Sequence, residues 1–139
     1  MAITTGLCFS FKEELLLGIH DFLNDTFYAA LYDSSVANLS PLTTVYTTTG
    51  EIPSGGGYST GGILLTGATV GLGNGVAYAS FNSPVWPASN ITASGAMVYN
   101  ASKADRAVFV LGFQSTTSST GDFVLRFPPN FPSSALIRI

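Results

Sequence analysis

Short apolar stretches separated by Gly, Pro, Ser and Thr dominate the chain after residue 25. Their strand-sized lengths and their content of β-branched and aromatic residues favour β-strands over helices. We predict strands at residues 26–32, 45–49, 63–71, 76–81, 91–100, 107–113, 123–127 and 136–139, with a short edge segment at 85–86 between two prolines. This spacing predicts one mainly β domain over residues 1–139, an antiparallel β-sandwich or jelly-roll-like fold, with a closed barrel as the alternative.

One helix is predicted ahead of the first strand, at about residues 11–23. Apolar residues recur from Phe11 at the i, i+4 and i+8 positions of one helix face. Ser10 followed by Glu13 matches a capping box, with Ser10 as the N-cap. Gly18 weakens the middle of this segment, because glycine is a poor helix former. We expect the apolar side of the helix to lie on a sheet or on another subunit.

The turns support antiparallel pairing. Asn74 and Gly75 lie between two predicted strands, and both tolerate the positive φ that a type I′ hairpin turn requires. Residues 101–106 form a second hairpin-like connection, and residues 51–62 form a glycine-rich loop. The segment at 45–49 is β-branched and polar, which is typical of an edge strand.

Charge is scarce in this chain. Five basic and eight acidic residues give a net charge of −3, and only 9% of the residues are charged while 46% are hydrophobic. Nucleic-acid binding and docking on anionic membranes both need clustered Lys and Arg, so we expect neither partner. A surface with so few charges must be covered largely by Ser, Thr, Gly, Asn and apolar groups, which favours a protein that partners cover.

The first residues contain neither a basic segment nor a long apolar segment, so we expect no secretory signal. No apolar stretch approaches the roughly 20 residues of a membrane helix. Cys8 is the single cysteine, which rules out an internal disulfide.

Candidate chemistry centres on His20, the single histidine, with Asp21 beside it and Asp25 close by. A metal site there is disfavoured, because adjacent helix residues point to different sides and the chain has no second histidine. The serines are not in a Gly-x-Ser-x-Gly element, and the glycine clusters lack the Lys-Ser/Thr of a phosphate loop. We therefore predict no catalytic, cofactor-binding or metal-ligating residue, no cofactor and no enzyme activity.

Aromatic residues offer a different kind of candidate. Tyr28, Tyr32, Tyr78 and Tyr99 lie inside predicted strands, where packing explains them. Trp86 and Tyr58 lie in predicted loops, and we interpret them as the better candidates for contact with a ligand or a partner.

The order of several segments resembles a group of small virion structural proteins of tailed bacteriophages, over most of the chain beyond residue 10. The segments are residues 27–35 (FYAALYDSS), 43–51 (TTVYTTTGE), 57–62 (GYSTGG), 84–87 (PVWP), 91–100 (ITASGAMVYN), 106–113 (RAVFVLGF), 127–128 (FP) and 135–139 (ALIRI). They form a pattern of short stretches and include no active-site motif.

The resemblance implies a virion protein that is assembled in the host cytoplasm. It implies first a head decoration, or cement, protein: a β-rich homo-oligomer, with a trimer as one candidate, that clamps the major capsid protein or other virion proteins. A tail, neck or fibre-associated component is the alternative within the virion. A host-surface glycan-binding module is the alternative outside this structural role, with Trp86 or Tyr58 exposed at its site.

Overall fold

A computed structural model describes residues 2–139. In chain order its elements are β1 (Gly6–Leu7), α1 (Phe9–Leu16), β2 (Phe27–Tyr32), β3 (Ile63–Leu64), β4 (Thr69–Gly73), β5 (Val76–Ser80), β6 (Val85–Ser89), β7 (Thr92–Asn100), a 3-10 turn (Ala101–Lys103), β8 (Arg106–Thr117), β9 (Gly121–Val124) and β10 (Ile137–Arg138). The prediction of a mainly β fold with antiparallel sheets and one N-terminal helix, compatible with a sandwich-like arrangement, is confirmed.

Three antiparallel sheets are formed by the described residues. The main sheet has the strand order β1-β8-β7-β2-β3, the small sheet has the order β10-β5-β4, and β6 pairs with β9 in a two-stranded sheet. β7 and β8 are the longest strands and lie side by side in the main sheet. β7 is buried at every position after its first, so the main sheet is covered on both faces.

Aromatic packing joins the helix region to the sheets. The ring of Phe22, which follows α1, stacks on Phe27 of β2 with centroids 5.0 Å apart, and it meets Phe11 of α1 edge-on at 5.9 Å. Phe81, just after β5, lies 5.3 Å from Phe27. Such ring pairs contribute about 0.5–1.5 kcal/mol each beyond their area burial. The prediction that the helix lies on a sheet is therefore confirmed.

The helix is shorter than predicted, at Phe9–Leu16 in place of about 11–23. Gly18 ends it, because its φ of +72° is left-handed and its N–H bonds back to Leu15 in a C-terminal cap. The predicted capping box is also wrong. Cys8 is the N-cap and makes no side-chain cap bond, while Ser10 lies inside the helix with a buried hydroxyl that has no hydrogen-bond partner.

Residues 45–49 do not form the predicted edge strand. Contact with the main sheet is limited to a single bridge between Val45 and Arg106, supported by hydrogen bonds from the Tyr46 N–H to Asp105 and from the Ala107 N–H to Thr44. The chain then leaves the sheet, so this segment follows the start of β8 for about one residue pair only.

The predicted strand at 63–71 is two strands in different sheets. β3 pairs with β2 in the main sheet, and β4 pairs with β5 in the small sheet. Gly67 lies between them with a φ of +66°, which redirects the chain. The remaining predicted strands are present with ends that differ by one to four residues.

The predicted hairpin turn is confirmed. Asn74 and Gly75 have φ values of 52° and 75°, as a type I′ turn requires, and join β4 to β5. Among residues 2–139, no helix has the length and apolar character needed to cross a membrane.

Candidate interaction surface

The predicted candidate His20 is held in a buried hydrogen-bond chain. Its side chain is fully buried, its Nε2 lies 2.8 Å from a Glu14 oxygen, and its Nδ1 lies 3.0 Å from the Asn100 side-chain nitrogen. Because the Asn100 amide nitrogen donates, Nδ1 accepts and the ring proton is assigned to Nε2, which donates to Glu14. The second Glu14 oxygen accepts from Arg106 Nη1 at 2.8 Å. Both ring nitrogens are thus occupied by protein groups.

Asp25 extends this chain but does not approach His20 as a joint ligand. Its carboxylate accepts from Lys103 Nζ at 2.8 and 2.9 Å and from the Asn100 amide at 2.8 Å. Burial alone would raise the pKa of Asp25, but the hydrogen bonds from Lys103, Asn100 and the Asp21 amide lower it to about 2. We call Glu14, His20, Asp25, Asn100, Lys103 and Arg106 the polar chain.

Asp21, the third candidate, is exposed. Its side chain accepts from the backbone N–H groups of Leu23 and Asn24 and so stabilises the turn after the helix. Among the described residues, no group of three or more His, Cys, Asp or Glu side chains is arranged to hold a metal ion. The three predicted candidates therefore have structural partners in the helix, the following turn and the β7–β8 connection.

A second internal cluster surrounds Glu51. The hydroxyls of Tyr46 and Tyr58 donate to its two carboxylate oxygens, and the Gly61 N–H donates to the second oxygen at 2.7 Å. Burial, together with the neighbouring carboxylate, raises the pKa of both tyrosines, so the two hydroxyls remain protonated donors. This cluster closes the glycine-rich loop 51–62 against the main sheet.

Tyr58 lies in a loop as predicted, but Trp86 does not, and the expected exposure of both residues is wrong. Trp86 lies in β6 and is 3% exposed, while Tyr58 is 2% exposed. The Trp86 ring meets Phe123 of β9 edge-on at 5.9 Å, and the Tyr58 hydroxyl accepts from the Leu31 N–H. Both rings belong to the core because β9 packs on Trp86 and β2 of the main sheet lies against Tyr58, which the local sequence does not reveal.

A polar depression of about 580 Å³ lies beside the glycine-rich loop. Asp33, Glu51, Asn90 and Thr92 are among the residues that line it. Most of the polar atoms are engaged internally: both Glu51 oxygens are bonded, one Asp33 oxygen accepts from Ser35, and the Asn90 oxygen accepts from Thr120. Sequence reasoning did not identify this depression.

The small sheet has one face that carries apolar side chains only. Strand pairing places two rows of three residues together on this face, because directly opposite residues in antiparallel strands point to the same side. We call this set the apolar face: Val70, Leu72, Ala77, Ala79, Ile137 and Ile139.

The inner end of the apolar face is covered by the protein itself. Ala79 and Ile137 are buried, and Leu15 and Phe22 from the helix region line the same apolar depression of about 140 Å³. This packing fixes the small sheet against α1 and leaves the rest of the face at the surface.

The outer end of the apolar face is open. Leu72 is 78% exposed, Ile139 is 68% exposed and Val70 is 54% exposed. Leaving such side chains in water forgoes about 25 cal/mol for each Å² of apolar surface. Contiguous exposed apolar surface of this kind is a candidate interaction site.

The opposite face of the small sheet is partly covered by the protein itself. The Tyr78 ring lies over Gly71, the Pro132 ring lies over Gly73, and the Asn130 amide donates to Thr69 at 2.6 Å. A methyl group added at Gly71 would stand 2.5 Å from the Tyr78 ring, so the ring would have to shift to accommodate it. The two faces of one sheet therefore differ, with one partly covered and one open.

Sequence reasoning predicted β5 but placed the first part of β4 in a longer strand at 63–71, and it missed the open face. Two signals pointed to it. In β4 glycine alternates with Val70 and Leu72, which puts both apolar side chains on one side of the strand. In addition, no Asp, Glu, Lys or Arg occurs between residues 52 and 102, so this part of the surface carries no charge.

No family model, curated protein or solved structure matches this chain.

Proposed function

We propose that this chain is a structural subunit that works in an assembled state, as a virion protein of a tailed bacteriophage. The observation that carries the proposal is the open apolar face on a protein with few surface charges. A face of this kind gains free energy when another protein surface covers it.

Further exposed apolar residues support the same proposal. Large apolar side chains that are exposed include Phe9, Leu16, Leu17, Leu23, Val36, Leu42, Val45, Leu64, Val70, Leu72, Val85, Phe131 and Ile139. Scattered exposed residues need no explanation, but the ones on the small sheet form a continuous set.

The state of the ionisable groups favours a structural role over catalysis. Of the thirteen charged residues, Glu14, Asp25, Lys103 and Arg106 bond to one another or to His20 and Asn100, and Glu51 bonds to two tyrosines. These groups stabilise connections between distant segments. Because these contacts engage five of the scarce charges, few charges are left unpaired at the surface, which matches a subunit whose normal state is assembled.

The place within the virion that we propose is the head, as a decoration protein that contacts the major capsid protein. The resemblance of the chain's segments to small virion proteins supports this place, and a tail, neck or fibre position is the alternative. The protein would be assembled in the host cytoplasm and then reside in the particle.

The test compares phage particles with and without this protein. Particles are purified from a host infected with phage that carries the coding sequence and from a matched phage in which it is disrupted. We expect the protein in the intact particles in many copies, and we expect the disrupted particles to release DNA at a lower temperature. Adding the purified protein should restore heat resistance.

Gold-labelled antibody on intact particles then separates head from tail. Label on the head supports decoration, and label on the tail or neck supports the alternative position. Absence of the protein from purified particles would contradict a virion role.

Binding of a host-surface glycan is the second candidate, favoured by the depression lined by Asp33, Asn90 and Thr92. Hydroxyl, amide and carboxylate side chains suit sugar hydroxyl groups. A glycan array tests this role: saturable binding that Asp33→Asn weakens would support it. Absence of binding across the array would remove it.

A further inference from the structure

β4 has a free edge. It ends the small sheet, and its outer side has no strand partner within residues 2–139. The turn at Asn74 and Gly75 makes Gly73 and Val76 a hydrogen-bonded pair, and bonding to β5 then alternates along the strand. Gly73, Gly71 and Thr69 therefore direct their N–H and C=O groups inward to β5.

The other two residues of β4 direct their backbone groups outward. The hydrogen bonds on the other side of β5 indicate the same alternation. Ala77 exchanges both of its backbone hydrogen bonds with Ile139, so it makes none to β4. The outward groups are the N–H and C=O of Val70 and Leu72. These two residues also carry the exposed side chains of the apolar face, so unpaired backbone and open apolar surface coincide.

β4 differs from the other strands that end a sheet in the described chain. β1, β3 and β10 each have two residues, which is too short to template another strand. β6 contains Pro87 and a left-handed Ala88 with a φ of +47°, and β9 carries Asp122. Proline, irregular backbone and charge all discourage edge pairing, whereas β4 has five uncharged residues and no proline.

We propose that two copies of this chain pair antiparallel through the outer edges of β4, about a twofold axis at Gly71. The proposal rests on the proposed function as an assembled subunit and names one contact and its partner. Val70 lies opposite Leu72 of the partner subunit, and each such pair exchanges both of its backbone hydrogen bonds. A twofold axis repeats this pair, so every outward group of the two strands is used.

A second copy suits this edge because the edge is self-complementary. The outward residues are two positions apart, so turning the strand by 180° places each on the other. Each copy has a net charge of −3, but the absence of charge between residues 52 and 102 keeps like charges away from the contact. This contact also limits the assembly to two copies, because neither copy of the dimer retains a free β4 edge.

The size of the contact sets its strength. A five-residue strand is about 17 Å long, and such an edge buries less than the roughly 800 Å² per partner of stable complexes. We therefore expect weak, concentration-dependent dimers. Opposite residues share a face, so the two apolar faces lie side by side and form one larger face for a further virion protein.

The test places charges at the two outward positions. In Val70→Lys/Leu72→Lys, each lysine lies opposite a lysine of the partner subunit. In Val70→Lys/Leu72→Glu, each lysine lies opposite a glutamate of the partner subunit. Both double variants change the same exposed positions, so folding affects them alike, and like charges directly opposite destabilise a strand pair.

Sedimentation velocity of the purified protein over a range of concentrations measures the dimer. We expect the Lys/Lys variant to dimerise at least roughly tenfold more weakly than the Lys/Glu variant. Leu42→Lys is the matched control, since Leu42 is 76% exposed and lies outside the small sheet, and it should dimerise like the unmodified protein. Equal dimerisation of the two double variants would overturn the proposal, as would an unmodified protein that stays monomeric at millimolar concentration.

Disulfide trapping tests the register. Opposite residues of a hydrogen-bonded antiparallel pair have Cα atoms about 5.5 Å apart, within the range of a disulfide. Mixing Val70→Cys with Leu72→Cys should give cross-linked dimers, whereas each variant alone should give few. Cys8 does not compete, because it is buried and burial raises the pKa of its thiol to about 12.

Cross-linking that is equal in the mixture and in the separate variants would contradict the register. The purified protein is used here without other virion components. Failure of the dimer test would leave the particle test of the proposed function unaffected, and the reverse also holds.

Discussion

The main sheet and the small sheet differ in how far their apolar side chains are buried. In the main sheet, β7 is buried along nearly its whole length, and the ionisable groups at its end are paired in the polar chain. In the small sheet, β4 is exposed or half-exposed at every position, and its apolar side chains face the surface. The main sheet therefore contains most of the buried strand residues, and the small sheet leaves apolar side chains open to solvent.

The difference explains how a chain with little charge can still be ordered. Polar and charged side chains lie where distant segments must be joined, as in the contact of His20 with Asn100, which are 80 positions apart. The segment 52–102, which includes most of the small sheet, has no charged residue. The many apolar residues of this chain therefore lie in two places, the buried core and the apolar face of the small sheet.

The largest expected effect comes from comparing one Leu→Ala substitution in the main sheet with one in the small sheet. Leu31 of β2 is fully buried, so Leu31→Ala should lower the free energy of unfolding by about 2–5 kcal/mol. Leu72 of β4 is 78% exposed, so Leu72→Ala should change it by no more than about 0.5 kcal/mol. Urea unfolding at low protein concentration, where association is negligible, measures both values. Comparable losses in the two variants would contradict the division between the sheets.

Two glycines with positive φ give the next largest contrast. A methyl group at Gly62, next to β3, would overlap the carbonyl of Ala29 in the main sheet, whereas no atom lies near the same position at Gly75. Gly75→Ala should lower the free energy of unfolding by about 1–2 kcal/mol, because alanine is disfavoured in left-handed backbone. Gly62→Ala should lower the free energy of unfolding by more than about 3 kcal/mol, because the backbone at Ala29 must also move.

Gly75→Asn serves as the control for the turn. Asparagine tolerates left-handed backbone, so this variant should lose less stability than Gly75→Ala. Thermal unfolding of the three variants ranks them, and a Gly62→Ala loss no larger than that of Gly75→Ala would show that the contact with Ala29 is easily relieved.

Local chemistry made some of these features predictable from sequence. The hairpin at Asn74 and Gly75 depends only on which residues accept positive φ, and the strand at Phe27–Tyr32 depends on a run of apolar residues. The sequence pattern predicts Gly18 as a weak point within a helix, but Gly18 ends the helix, since the choice depends on how the following turn packs. Boundaries of this kind are set by tertiary contacts.

The candidate site was less predictable, because burial is a property of the whole fold. Trp86 and Tyr58 follow loop-like residues in sequence, yet β9 and the main sheet cover them. The partners of His20 are six and 80 positions away, beyond any local pattern. The open face required knowing that Tyr78 and Pro132 lie over the glycines of β4 on the opposite side of the small sheet.

The smallest expected effect is a response to acid that is confined to the main-sheet region. The pKa of Asp25 is lowered from 3.8 to about 2, so its contact with Lys103 contributes stability that is complete above pH 5 and is lost as the pH falls towards 2. The strands of the small sheet contain no Asp or Glu. Amide NMR signals of Ala101–Lys103 should therefore shift between pH 5 and pH 2, while those of β4 stay constant.

Asp25→Asn isolates this contribution from the other acidic residues. The variant should be less stable than the unmodified protein at pH 6, and the difference should shrink as the pH approaches 2, because neither a protonated Asp25 nor the asparagine that replaces it carries a charge to pair with Lys103. Urea unfolding at both pH values measures the difference. A gap that stays constant with pH would mean that the Asp25 side chain acts by hydrogen-bond geometry alone, and the contrast between a charge-linked main sheet and a small sheet without acidic residues would then lose its electrostatic basis.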